Sequence, residues 1–166
     1  IEAGIDSIEH GVYLTDENLS QMADKGIVLC ATYGPYAAAS HLDNVPQFMK
    51  DNCARAADHY LETLAKAHEC KVKVVFGGDT YHADPRTEYK ALIQAGFSPI
   101  EALNAGTINA ATFLGYEDQL GTIEKGKIAD LVALDGNPFK YPDSLSEVKA
   151  VMKEGMVYTP EGLAGS

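Results

Sequence analysis

Two short apolar runs, residues 27–32 (Ile-Val-Leu-Cys-Ala-Thr) and 72–76 (Val-Lys-Val-Val-Phe), constrain this chain more than any other feature. Each is too short for a typical helix, and a compact apolar run of this kind reads as a strand buried on both faces, the habit of parallel sheets. A further strand is expected at 5–10, where apolar and polar residues alternate before Gly11, so that His10 sits at its carboxyl end. Helical stretches lie between the strands. Thr15 caps the first, with Asp16 and Glu17 at its positive end, Leu19, Met22 and Ala23 as the buried stripe and Gly26 as the stop. After a loop containing Gly and Pro, Pro46 opens a long helix in which Met49, Cys53, Ala56, Tyr60, Leu64 and Ala67 or His68 recur at helical spacing. Strand, helix, strand, helix, strand without hairpin signals is the grammar of βαβ units, and it fits either an α/β barrel segment or a doubly wound sheet.

The second half changes character. A helix is expected over 88–94, carrying Leu92 and Ile93 and ended by Gly96. Another starts at Ser98-Pro99-Ile100-Glu101, a capping-box spacing with Pro at the first helical position. A third, over 107–114, stops at Gly115. From Gly121 onward glycines punctuate strands at 128–134 and 148–153, the latter turning at Glu154-Gly155 into 156–158. Residues 162–166 read as a frayed end.

Composition narrows the function classes. With 166 residues and 46% hydrophobic content the chain can bury one core. A formal charge of −11 with scattered basic residues argues against nucleic acid, which needs clustered Lys and Arg. No apolar run approaches the roughly 18 residues of a membrane span. Cys30, Cys53 and Cys70 lack disulfide or CxxC spacing and are expected to be buried, reduced thiols, which suits the cytoplasm. The chain opens at Ile1, without Met, and runs at once into Ala3-Gly4, a typical helix exit, so the natural N-terminus is expected elsewhere and secretion stays open.

His10 and Asp79 both fall where a strand gives way to a loop, and in barrels those loops build the active site. Imidazole and carboxylate suit zinc and similar divalent ions if other strands complete the shell. The plainer alternative is a hydrogen-bonded strand-end histidine and a turn carboxylate beside Gly77-Gly78. His59 and His68 belong to the long helix, where surface or packing roles are expected. His82 lies three residues past Asp79, and Tyr33 and Tyr36 follow the second strand, which makes all three weaker candidates for contact with substrate. Asp130 and Asp135 read as turn or cap residues, and Lys125 and Lys127 as solvated.

Five blocks in order carry a resemblance: Gly4-Ile-Asp-Ser-Ile-Glu-His-Gly11, Phe76-Gly-Gly-Asp79, Ser98-Pro-Ile-Glu-Ala-Leu103, Asn109-Ala-Ala-Thr-Phe-Leu-Gly115, and the stretch from Gly121 to Pro138. With them the chain resembles the C-terminal part of the amidohydrolase superfamily, in the subgroup that includes imidazolonepropionase and prolidase-like enzymes. The resemblance implies strands six to eight of a metal-dependent (β/α)₈ TIM barrel over 1–120, and a β-rich segment of a small composite sandwich over 121–166. It implies that His10 is a metal ligand, and that Asp79 is both a ligand and the catalytic general base. The cofactor would be one or two divalent ions, zinc by expectation. The substrate would be a small amide, cyclic amide or dipeptide. Gly77-Gly78-Asp79 stands where the family usually has Gly-Thr-Asp, which keeps the carboxylate. The strands that bring the family's other ligands are not in this chain, and His41, His59, His68 and His82 do not replace them by spacing. The expected partner is therefore a missing N-terminal half or a second copy. The rival expectation is a catalytically silent half-barrel module that folds by docking, because an open barrel piece leaves unpaired strand edges.

Overall fold

The computed structural model describes residues 1–39, 41–79 and 84–159. Three strands form a parallel sheet in the order β1 (Ser7–Glu9), β2 (Val28–Ala31), β3 (Val74–Phe76). Register pairs Glu9 with Cys30, and Cys30 with Val75. Side chains alternate across a strand. Leu29, Ala31 and Val74 therefore join the helices in one core, while Glu9, Cys30 and Val75 share the opposite face.

The crossover helices follow their local signals. In α1 (Asp16–Lys25) the Thr15 hydroxyl accepts the Asn18 N–H, the Asn18 side chain answers to the Thr15 N–H, and Gly26 closes the helix at φ 70°. Leu19 and Met22 are fully buried. The long helix α3 (Gln47–Glu69) contributes Tyr60, Leu64 and Ala67 at 0% exposure, each of the larger side chains stabilising the core by roughly 1.5–3 kcal/mol. Its first turns depart from expectation. Met49 is exposed and Cys53 only half-buried, so the buried stripe begins at Ala56.

Other expectations also needed correction. The loop after β2 contains a six-residue helix, α2 (Gly34–Ala39). The helix expected over 88–94 is α4 (Pro85–Gln94), begun one turn earlier because the Asp84 carboxylate accepts the Arg86 N–H and Pro85 takes the first helical position. The three cysteines are free but half-buried, not buried. The strands expected at 5–10, 27–32, 72–76 and 128–134 are present but shorter, those at 148–153 and 156–158 are as expected, and the capping box at Ser98 opens α5 (Pro99–Ala105) as read from its spacing. A short helix α6 (Ile108–Leu114) follows, closed by Gly115 at φ 73°.

The tail forms a second, antiparallel sheet of β4 (Leu131–Leu134), β5 (Val148–Lys153) and β6 (Met156–Tyr158). Glu154 and Gly155 both adopt positive φ, 52° and 83°, the backbone of a two-residue hairpin turn whose twist matches the strands. A 3₁₀ turn at Pro142–Ser146 leads into β5 and packs on α4, where the Tyr89 hydroxyl donates to the Pro138 carbonyl at 3.0 Å and Lys90 pairs with Asp143. Lys127 is not solvated as expected. Its ammonium donates to the Glu117 and Leu120 carbonyls and to the Thr122 hydroxyl, with only 12% of the side chain exposed. Among the described residues no helix is long and apolar enough to cross a membrane.

Candidate functional site

Parallel strands put their carboxyl ends on one side, and three chemically useful residues converge there. His10 follows β1 directly, Thr32 follows β2, and Asp79 lies three residues beyond β3. His10 Nδ1 is 2.7 Å from Thr32 Oγ1 and 4.0 Å from Asp79 Oδ2. The His10 amide also donates to the Cys30 carbonyl at 3.0 Å, which extends the β1–β2 ladder one residue past the strand. His10 and Asp79 both hold left-handed backbone, φ 66° and 52°, a conformation that disfavours L side chains and gathers at functional sites.

In the tautomer with the proton on Nδ1, which a carboxylate 4.0 Å away favours, His10 donates to the Thr32 hydroxyl and Nε2 keeps the lone pair.

Behind these residues lies a layer that sequence reasoning missed. The Tyr60 hydroxyl, on α3, accepts the Thr32 N–H at 2.9 Å. Glu88, on α4 and 2% exposed, accepts the Tyr33 N–H through Oε2 at 2.8 Å and the Gly34 N–H through Oε1 at 2.6 Å. Burial pushes the Glu88 carboxyl above its ordinary value, and the two N–H groups pull back. Burial likewise raises the Tyr60 phenol. A signal for Glu88 was present: it shares the helical stripe of Leu92 and Ala95, a carboxylate at an apolar position.

Tyr33 and Tyr36 are half-buried and lean back on Tyr60, with ring centroids 6.3 and 5.9 Å away. Burial raises the Tyr36 phenol, and the Asp79 charge adds to it, so this hydroxyl lies within the field of the site. His82 falls outside the described residues. His68 stacks on Phe97 at 4.3 Å and reaches Glu101 at 3.3 Å, while His59 lies against Tyr13 and Glu62, so both serve helix packing and surface pairs as expected. Burial, reinforced by a hydrogen bond and charge from Glu9, pushes the Cys30 thiol up to about 12, which makes it a poor nucleophile.

The donor set is of the right kind for a zinc-like ion but short in number. Among the described residues no three His, Cys, Asp or Glu side chains gather to hold a metal. Two protein donors leave a shell to be completed from elsewhere.

The parallel α/β layout has counterparts among known proteins. The amidohydrolase family matches residues 3–160. This chain belongs to that family. Ochratoxinase of Aspergillus niger is 31% identical over 98% of this chain and 36% of its own length. Imidazolonepropionase of Symbiobacterium thermophilum is 28% identical over 97% of this chain and 36% of its own length. The crystal structure of a Xaa-Pro dipeptidase with methionine in its active site superposes with a TM-score of 0.84, at 33% identity, over 95% of this chain and 41% of that one. The chain thus spans little more than a third of the curated relatives it matches.

Proposed function

We propose that this chain carries the C-terminal share of a metal-dependent hydrolase of C–N bonds in small amides, cyclic amides or dipeptides. In this reading β1, β2 and β3 are strands six to eight of a (β/α)₈ barrel over residues 1–120, and residues 121–166 belong to a small β-sandwich. The observation that carries it is the approach of His10 and Asp79 to 4.0 Å across the end of β2, although 69 positions separate them in sequence. Membership of a family whose relatives include an imidazolonepropionase and a Xaa-Pro dipeptidase supports the bond class.

His10 Nε2 and the Asp79 carboxylate would hold a divalent ion of the zinc type, together with donors from outside this chain. When bound, such an ion supplies Lewis acidity, lowering the pKa of a coordinated water towards about 7 and polarising a carbonyl. The residues of this chain do the rest. Asp79 accepts the proton of the attacking water and delivers it to the leaving nitrogen, a transfer its solvent-facing carboxylate can make in both directions. Thr32 keeps the imidazole in one tautomer. Tyr36, and with it Tyr33, would form the wall that meets the substrate.

A second reading has its own support. β1 and β3 are both edge strands of the parallel sheet, as expected of a silent module that must dock on a complementing chain. Elemental mass spectrometry after exhaustive dialysis separates the two. About one zinc-like ion per chain, lost in His10→Ala, upholds the metal site and directs assays to dipeptides and cyclic amides. No retained ion in the isolated chain means that it forms no site by itself and favours the docking module.

A further inference from the structure

Thr32 has a nearer use for its hydroxyl than His10. A Thr side chain readily accepts the N–H two residues on, closing a local turn, and here that N–H belongs to Gly34. Glu88 forestalls it. Its Oε1 takes the Gly34 N–H at 2.6 Å and its Oε2 the neighbouring Tyr33 N–H at 2.8 Å, while the Tyr60 hydroxyl holds the Thr32 N–H at 2.9 Å. Three consecutive amides are thus held by side chains from α3 and α4, and the Thr32 hydroxyl is left to meet His10 Nδ1 at 2.7 Å.

The arrangement is built, not incidental. At Gly34 a Cβ would stand 2.9 Å from Glu88 Oε1, so any other residue would oblige the bonded carboxylate to shift. Burying a carboxylate is unfavourable unless it is fully bonded, and charge-assisted bonds to backbone N–H groups are the strong kind. The helix that these amides begin, α2, has six residues and is too short to hold its own position.

We infer that Glu88 is a positioning residue for the His10 imidazole: by clamping the amides of Tyr33 and Gly34 it commits the Thr32 hydroxyl to His10 Nδ1 and so fixes which ring nitrogen faces the site. The functional weight of this inference rests on the reading of His10 as a ligand, but its test does not. Without Glu88 the Thr32 hydroxyl turns to the Gly34 N–H and His10 loses its restraint.

The test is the tautomer of His10 in the metal-free chain, read from long-range ¹H–¹⁵N correlations after ¹⁵N-histidine labelling and assigned with His10→Gln. The wild-type chain gives a single Nδ1–H signature. Glu88→Gln keeps the shape but offers one acceptor where two are needed. It is expected to give averaged ring-nitrogen shifts with the rest of the spectrum unchanged. Thr32→Val gives the same loss and Thr32→Ser restores the signature. Glu88→Asp, which keeps the carboxylate but shortens its reach to the two amides, supplies the same readout should Glu88→Gln not fold. A wild-type tautomer in folded Glu88→Gln, or in Thr32→Val, overturns the inference. If the dialysed chain holds no metal while the tautomer still follows Glu88, the isolated chain forms no metal site by itself and the positioning role stands. If an ion is retained while the tautomer is indifferent to Glu88, the positioning role fails and the hydrolase reading stands.

Discussion

The hydroxyl of Tyr60 accepts the backbone N–H of Thr32 at 2.9 Å, joining the fully buried centre of α3 to the first residue beyond β2. Tyr60→Phe leaves that buried N–H without its acceptor while keeping the ring. The expected loss is about 1–3 kcal/mol in urea unfolding, with the slope unchanged. A loss below a few tenths of a kcal/mol would show that the bond contributes nothing net.

Lys127 gathers two carbonyls and a hydroxyl between α6 and the tail sheet. Lys127→Met keeps most of the stem and removes the donor. Destabilisation of about 1–3 kcal/mol is expected, with faster amide exchange around Gln119 and Ile128, whose backbones bond to each other at 2.9 Å. Unaltered exchange there would return Lys127 to the role of a surface charge.

Asp130 ties the tail hairpin from outside it. One oxygen accepts the Glu154 N–H and the other the Lys153 ammonium, both at 2.7 Å. Asp130→Ala is expected to raise hydrogen exchange at the turn amides, leaving the parallel sheet protected. Uniform loss of protection across both sheets would mean that the two unfold as one unit.

Glu101 gives a pH signature. The Ser98 hydroxyl first, then the Ser98 N–H and His68, bring its carboxyl down from the ordinary 4.5 to about 2. A depressed folded-state value means that the unfolded chain binds protons more readily. The stabilisation is present above the ordinary value and is lost as pH falls through about 2. Its exposure to solvent keeps the effect small. In Glu101→Gln, the acid limb of stability against pH should flatten between about 4.5 and 2. An unchanged limb would assign the acid sensitivity to other carboxyls.

Local chemistry was legible and distant chemistry was not. Thr15, Gly26, Ser98 with Glu101, and Glu154-Gly155 each act within a few residues, so spacing revealed them. α2 stayed hidden because its cap comes from Glu88, 54 residues away. Lys127 looked solvated because its acceptors lie up to ten residues back, on a turn whose shape no periodicity announces. Met49 sits on the right stripe of α3 but in its first turn, ahead of the buried stretch that starts at Ala56. His10 and Asp79 were legible as strand-end residues, whereas their approach across the end of β2 depends on strand order, which alternation alone does not provide.

The left-handed backbone at His10 and Asp79 has a practical consequence for anyone improving this protein. Glycine adopts that conformation freely, whereas an L side chain there costs roughly 1–2 kcal/mol, so His10→Gly and Asp79→Gly each gain back part of that strain. A selection for heat resistance alone would therefore tend to enrich glycine at both positions. Directed evolution aimed at the proposed hydrolytic role calls for a counter-selection that retains the imidazole and the carboxylate, because on that reading thermal robustness and chemical competence pull these two codons in opposite directions.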